Sequence, residues 1–192
     1  MKRWLETDEY EEVRETLKSL LHFHDLSKRD VAYWKWVFVA LHNLVQGCMV
    51  IALTGTSGLG ALNPAIEKRR RIAWSKGEPQ PREQDKLLRF LELYEKIKMQ
   101  DTLEAASGGQ YAGSESHDYS MKKINDLRNE FIHFTPKGWY LDLAGAVQII
   151  SDCLDVAEFL VESSGRFFVF SSYVEGELLD LISKVRSSIS EK

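Results

Sequence analysis

This sequence of 192 residues contains few prolines and few cysteines, and its net charge is not positive. Only four prolines interrupt the chain, so long helices can form without the breaks that proline imposes. The two cysteines, Cys48 and Cys153, stand far apart in apolar stretches, which indicates buried thiols in a reducing compartment rather than a disulfide. The formal net charge of −4 excludes nucleic-acid binding through bulk positive charge, but it leaves room for a local basic patch.

No secretory leader is expected, because the first residues, MKRWLETDEYEEV, contain no apolar stretch. The most apolar segment, VFVALHNLVQGCMVIAL at Val37–Leu53, is nearly long enough to cross a membrane. His42, Asn43 and Gln46 interrupt it, which favours a central buried helix over a membrane span. The sequence therefore predicts a cytoplasmic protein that does not contact a membrane.

Apolar residues recur at helical spacing along most of the chain, and no pattern alternates strands with helices. The spacing predicts helices at about 3–25, 28–53, 83–99, 117–134, 139–163 and 175–189. Long loops at about 54–82 and 100–116 separate them, the first with room for one short helix. We expect an all-α fold, an up-down bundle of five or six helices that forms a single domain over 1–192.

Two of these helices show which of their faces should point inward. The helix at 139–163 carries apolar residues at alternating spacings of four and three: Leu143, Val147, Ile150, Leu154, Ala157 and Val161. The helix at 83–99 carries a similar stripe: Leu87, Phe90, Leu91, Tyr94 and Ile97. Both stripes predict core positions.

One stretch, INDLRNEFIHFTPKGW at 124–139, combines an apolar helix face with a polar line. The apolar face consists of Ile124, Leu127, Phe131 and Phe134. The polar line on roughly the opposite side consists of Asn125, Asn129 and His133. Arg128 lies between the two, beside Asn129. Pro136 disfavours helical geometry in the residue before it, so the helix should end near Phe134 with His133 in its last turn.

Arg128 and His133 admit two interpretations. Cations suit the C-terminal end of a helix, so both residues can simply be surface residues that the helix dipole favours. Alternatively, histidine exchanges a proton near neutral pH and arginine is well shaped to hold a phosphate. Together they are the minimum needed to cleave RNA without a metal: one group assists attack by the ribose 2′-hydroxyl, and positive charge stabilises the pentavalent phosphorane.

The segment RNEFIH, Arg128–His133, resembles the signature of the HEPN superfamily. That signature is an arginine, a polar residue directly after it, and a histidine after a gap of roughly four to six residues. Here the polar residue is Asn129 and the gap is four residues. The context is similar too, because the motif closes a long helix in a helical chain. The resemblance covers about 117–160 specifically and the rest of the chain only in general helical character.

The resemblance implies a helical bundle that pairs as a homodimer, so that two motifs face each other and form one composite site. Many HEPN domains are metal-independent endoribonucleases of bacterial defence or toxin–antitoxin systems, and others are inactive modules that bind a protein or RNA partner. Carried over, Arg128 would hold the scissile phosphate, Asn129 would position it, and His133 would act as general acid or base. No metal or cofactor is implied, RNA would be the substrate, and a cognate antitoxin would be a protein partner.

A ribonuclease also needs a basic approach path, which this acidic chain must provide locally. Lys122 and Lys123 lie on the same predicted helix as the motif, so they are the better candidates for guiding RNA. The run EKRRR, Glu67–Arg71, is a second candidate. The simpler interpretation of both groups is a solvated surface.

His42 and Gln46 share one face of the predicted central helix, which suggests a satisfied polar pair in the core or at a dimer interface. A second interpretation is that His42 or Asn43 reaches the Arg128–His133 motif from the neighbouring helix. The glycines of TGTSGLGAL, at 54–62, lack the strand and the Lys-Ser/Thr of a phosphate loop, so they predict a helix stop. No metal site is predicted, because the histidines of HFHD, at 22–25, diverge on a helix.

Overall fold

The computed structural model describes residues 4, 7–79, 86–100, 102–103, 110–133, 140–167 and 172–190. Within these residues the chain forms seven α-helices and a 3₁₀ turn at Val31–Tyr33. The α-helices are α1 (Glu9–Ser27), α2 (Trp34–Thr54), α3 (Pro64–Ser75), α4 (Phe90–Ile97), α5 (Glu115–His133), α6 (Ala146–Ser163) and α7 (Ser172–Ser190). The all-α prediction is confirmed, whereas the prediction of five or six helices is wrong.

The additional helix is α3, which occupies the middle of the loop predicted at 54–82. Local signals explain it, since Asn63 Oδ1 accepts a hydrogen bond from the Ala65 N–H at 3.0 Å and Pro64 fills the first turn. Glu67 and Arg71, one turn apart, form an ion pair at 2.8 Å. A helix of this kind has only a weak apolar stripe, so hydrophobic periodicity does not reveal it.

Two aspartates set the boundaries of the first helices, which lie later in the chain than the predicted 3–25 and 28–53. At the start of α1, Asp8 accepts hydrogen bonds from two backbone N–H groups of the first turn. Asp30 accepts from the Ala32 N–H at 2.9 Å and begins the 3₁₀ turn that leads into α2. The loop predicted at 100–116 has no regular structure at 102–103 and 110–114, while α5 already begins at Glu115.

The central element is α2, which packs against α1, α4, α5 and α6. The prediction of a buried central helix is therefore confirmed. By length and composition Val31–Thr54 would also be able to cross a membrane, since its most apolar stretch of 18 residues has a mean hydropathy of 1.8. However, 67% of that stretch is buried inside the structure, and buried core helices pass the same test of length and composition. Gly55, with φ of 56°, ends α2, as the helix-stop interpretation predicts.

Most of the predicted inward residues are buried, two (Leu91 and Leu143) are half-buried against the core, and two are exposed. The residues of α4, α5 and α6 that are buried as predicted are Phe90, Tyr94, Ile97, Ile124, Leu127, Phe131, Ile150, Leu154, Ala157 and Val161. Val147 is 50% exposed because α6 begins only one residue earlier, at the edge of the core. Leu87 is 43% exposed because it precedes α4. Phe134 and the helix end expected before Pro136 lie outside the described residues.

Cys48 on α2 and Cys153 on α6 are both buried and unpaired, as predicted. Full burial raises the pKa of the Cys48 thiol to about 12 and that of the Cys153 thiol well above its usual value. Both thiols are therefore protonated at neutral pH and act as small apolar side chains of the core.

Candidate functional site

A buried carboxylate fixes α5, the helix with the Arg128–His133 motif, against α6. Asp152 is 2% exposed, and its Oδ2 accepts hydrogen bonds from Ser116 Oγ at 2.7 Å and Ser120 Oγ at 2.6 Å. Gln148 Nε2 donates to Asp152 Oδ1 at 2.7 Å. Burial raises the pKa of Asp152, but the hydrogen bonds from Ser120, Ser116 and Gln148 lower it more, so the net pKa lies below its usual value. The ionised carboxylate therefore holds the two helices in register.

A second polar cluster ties the start of α5 to α4. Asp118 accepts from Tyr94 Oη at 2.8 Å and from Lys98 Nζ at 3.1 Å. The hydrogen bond from Lys98, followed by that from Tyr94, holds the pKa of Asp118 below its usual value. These contacts give the motif helix a fixed position against its neighbours on both sides.

Ser114, His117 and Asp155 touch in the order of a hydrolase triad, with Ser114 Oγ 2.7 Å from His117 Nδ1 and Asp155 Oδ2 3.4 Å from His117 Nε2. However, His117 Nδ1 also accepts the backbone N–H of Ser114 at 3.2 Å, a contact that closes the first turn of α5. His117, Asp152 and Asp155 also place ligand atoms within 4.8 Å of one another. Because Asp155 pairs with Arg186 at 2.8 Å and Asp152 already accepts three hydrogen bonds, we assign the cluster to helix capping and ion pairing.

Arg128 lies half-buried on α5, and its Nη1 donates to Asn129 Oδ1 at 3.2 Å. Among the described residues, no carboxylate oxygen lies within 4.0 Å of its guanidinium. The side chain lines a cleft of about 630 Å³ between α2, α4 and α5. This Arg128 cleft is lined by His42, Gln46, Leu88, Arg89, Phe90, Leu91, Glu92, Asn125, Arg128 and Asn129. An arginine in a polar cleft, without a carboxylate partner in the described part of the chain, is suited to an anion.

His133 lies apart from this cleft. It is exposed, stands at the last position of α5, and is not among the described residues that line the Arg128 cleft. Because the chain is helical from Arg128 to His133, the two side chains leave the helix about 140° apart and roughly 7.5 Å apart along its axis. A single chain thus brings Arg128 and Asn129 together and leaves His133 to one side.

The two lysines on α5 face different directions. Lys122 is exposed and lies two turns before Asn129, on the side of the polar line. Lys123 is half-buried and lines another cleft, together with Glu130 and Phe131. Lys122 therefore shares the side of α5 that carries Asn129, whereas Lys123 faces the other cleft. The Glu67–Arg71 run lies on α3, and none of its residues is among those described as lining the Arg128 cleft.

His42 is brought to the same cleft from α2. It is 3% exposed, and its ring stacks on Phe90 with centroids 4.2 Å apart and planes inclined by 23°. Burial, followed by the positive charge of Arg128, lowers the pKa of His42 to about 4, although hydrogen bonding by the side chains of Asn43 and Asn125 partly opposes the shift. The imidazole is therefore neutral at physiological pH.

His42 is buried, as predicted, but no hydrogen bond joins it to Gln46 among the described residues. Its Nδ1 is buried and has no hydrogen-bond partner among the described residues. Gln46, the expected partner, lines the cleft beside it. The alternative, in which His42 reaches the motif from the neighbouring helix, agrees with the structure insofar as His42 and Arg128 line one cleft.

Sequence reasoning missed Arg89, which stands at the start of α4 and lines the Arg128 cleft. Its position depends on backbone hydrogen bonds from the loop after α2. The Leu88 N–H donates to the Ala61 carbonyl at 3.0 Å, and the Asn63 N–H donates to the Lys86 carbonyl at 2.8 Å. No local pattern in the sequence encodes this backbone pairing, because the paired residues are about 25 positions apart in the chain.

Comparison with known proteins does not place the chain in a family. No family model matches it, and neither does any curated protein or solved structure. The resemblance of Arg128–His133 to the HEPN signature therefore stands on those residues and their position at the end of a long helix. It supports a proposal about function.

Proposed function

We propose that this protein is a metal-independent endoribonuclease of HEPN type, a cytoplasmic homodimer that acts in bacterial defence or in a toxin–antitoxin system. The observation that carries the proposal is the state of Arg128. Its guanidinium is half-buried in a polar cleft, has no carboxylate partner among the described residues, and stands beside Asn129 on the helix that ends with His133. A guanidinium in this state favours a phosphate ligand.

Each residue of the motif has a chemical role in the proposed reaction. Arg128 binds the scissile phosphate and stabilises the charge of the phosphorane, while Asn129 accepts a hydrogen bond from Arg128 and so orients it. His133 takes the proton of the ribose 2′-hydroxyl or returns one to the leaving 5′-oxygen. The O2′–P bond forms as the P–O5′ bond breaks, which leaves a 2′,3′-cyclic phosphate and a 5′-hydroxyl.

In the proposed function, a second copy of the chain supplies the acid–base group that the Arg128 cleft of one copy lacks. Arg128 and His133 diverge on α5, so one chain cannot close both around a single phosphate without distorting the helix. In the proposed dimer, which pairs two up-down helical bundles, the exposed His133 of one copy meets the Arg128 of the other. Lys122, on the same side of α5, then guides the RNA backbone.

A second candidate function is a non-catalytic HEPN-like dimer that binds a protein or RNA partner, such as a cognate antitoxin. The separation of His133 from the Arg128 cleft favours it, because a site used only for binding needs no proton-transfer group beside the phosphate. The two candidates differ in whether RNA is cut.

The test is incubation of the purified protein with total RNA in EDTA, beside two variants. His133→Ala removes the proposed acid–base group, and His22→Ala removes another exposed histidine, on α1, as a matched control. We expect cleavage by the wild type and by His22→Ala, and none by His133→Ala. Equal cleavage by His133→Ala would reject the site. RNA binding without cleavage, by a folded dimer, would establish the second candidate instead.

A further inference from the structure

One residue that lines the Arg128 cleft, His42, has a buried ring nitrogen that is unpaired within the described part of the chain. His42 Nδ1 has no hydrogen-bond partner among the described residues, in a side chain that is only 3% exposed. A buried polar group without a partner destabilises a fold, and native proteins keep such groups few. An apolar residue at position 42 would avoid this cost, because the ring already stacks on Phe90 like a core aromatic. The Nδ1 atom of His42 therefore needs an explanation other than packing.

The surroundings of His42 indicate the chemistry of a missing partner. Arg128 and Arg89 line the same cleft and suit a phosphate, while the amides of Asn125 and Asn129 provide further polar groups. The side chains of Asn43 and Asn125 both interact with the ring of His42. Asn43 is exposed at the surface of α2, so its side chain can rotate away and admit a ligand to the ring. Glu92 also lines the cleft, but its carboxylate accepts the Arg89 N–H at 2.7 Å as part of the helix cap. The cleft thus combines two arginines that suit an anion with a neutral imidazole that suits an uncharged polar group.

A ribose hydroxyl satisfies this imidazole best. A neutral imidazole has one nitrogen that donates and one that accepts, and which is which depends on the tautomer. A 2′-hydroxyl both donates and accepts, so it pairs with the ring in either tautomer. A nucleobase presents fixed donors and acceptors instead, and would match only one tautomer.

Building on the proposed function, we propose that His42 binds the ribose 2′-hydroxyl of a nucleotide whose phosphate is held by Arg128. His42 then gives the site its preference for RNA over DNA. Phe90 keeps the imidazole ring in place by stacking, so that the hydrogen bond is made by a side chain that is already ordered. His42 is a binding residue in this proposal, and proton transfer stays with His133.

The test measures binding of random-sequence single-stranded RNA and DNA pools of equal length. All proteins carry His133→Ala, so that the RNA stays intact. His42→Phe keeps an aromatic ring against Phe90 and removes both nitrogens. The matched control is His24→Phe, which alters another buried histidine, one whose Nδ1 is bonded to Ser188 Oγ at 3.0 Å at the contact of α1 with α7.

We expect His42→Phe to weaken RNA binding about threefold to tenfold, as for the loss of one hydrogen bond, and to leave DNA binding unchanged. His24→Phe should alter neither. The melting temperature of His42→Phe should equal or exceed that of the parent, because an orphaned polar group is removed, whereas a purely structural histidine would lower it.

Three results would overturn the inference. Equal affinity of the parent for RNA and DNA would overturn the role of His42 and leave the proposed ribonuclease standing. An equal loss of RNA and DNA binding in His42→Phe would also overturn the role of His42 and leave the proposed ribonuclease standing. Failure of the folded parent to bind RNA, together with failure of the wild type to cut RNA in EDTA, would reject the proposed function and the inference with it.

Discussion

Replacing Asp152 tests whether the buried carboxylate holds the motif helix in place. Asp152→Ala removes the acceptor for Ser116, Ser120 and Gln148, which donate at 2.6–2.7 Å. Hydrogen bonds to a charged group contribute about 1.5–3 kcal/mol each, but Ser116 and Gln148 are exposed and can bind water instead. Only Ser120, which is 1% exposed, stays without a partner. We therefore expect a loss of about 3 kcal/mol in the free energy of unfolding rather than the sum of all contacts.

Asp152→Asn is the matched variant, because it keeps the side-chain volume and can keep the serine hydrogen bonds. It should therefore lower the free energy of unfolding by only about 1 kcal/mol. Asp126→Ala, an exposed position on α5, should stay within about 0.5 kcal/mol of the wild type. Urea unfolding followed by far-UV circular dichroism at neutral pH measures all of these differences. A free energy of unfolding for Asp152→Ala equal to that of the wild type would refute the reasoning.

The same network predicts a dependence on pH. The pKa of Asp152 is lower in the folded chain than the value of about 3.9 expected when unfolded, so the folded chain binds fewer protons at this site. The stability from Asp152 is therefore fully present above about pH 4 and is lost as pH falls through the lower folded pKa. The difference between wild type and Asp152→Asn should be constant near neutral pH and shrink in acid. A difference that grows in acid would contradict this sign.

Three further predictions follow from the geometry of α5. Tyr94→Phe, which removes the 2.8 Å hydrogen bond to Asp118, should lower the free energy of unfolding by about 1 kcal/mol in a urea titration. Lys122→Ala should weaken RNA binding and lower its salt dependence, whereas Lys123→Ala should change neither, and equal effects of the two would contradict their assignment to different faces. Arg128→Lys should lower RNA cleavage by at least about tenfold at an unchanged melting temperature, because lysine lacks the planar guanidinium that binds phosphate through two donors.

Hydrophobic periodicity predicted those parts of the fold that bury a continuous stripe. The inward faces of α5 and α6 are correct because residues such as Ile124 and Leu154 recur at helical spacing, and the face they share needs a neighbour. The same approach fails for α3, whose helix depends on the Asn63 cap, Pro64 and an ion pair rather than on a stripe. It also overextended the inward face of α6 to Val147, because the start of that helix is not marked by a side-chain cap.

The candidate site, like the fold, could be predicted from the sequence only in part. Arg128, Asn129 and His133 are recognisable from their order along one helix, and simple helical geometry already implies that the first and last of them diverge. The contribution of His42 depends on which face of α2 meets α4 and α5, and that of Arg89 depends on the backbone contacts of Ala61 with Leu88. Such contacts between distant segments are set by the packed structure, and no single-sequence pattern reports them.

The most direct test of the proposed ribonuclease is the chemistry of the ends that it makes. Total RNA is incubated in EDTA with the wild type, with His133→Ala and with Arg128→Ala, and the termini of the fragments are determined. Attack by the 2′-hydroxyl predicts 2′,3′-cyclic phosphate and 5′-hydroxyl ends from the wild type, which are absent with either variant. Fragments with 5′-phosphate and 3′-hydroxyl ends, or cyclic phosphate ends that persist in His133→Ala, would contradict the account.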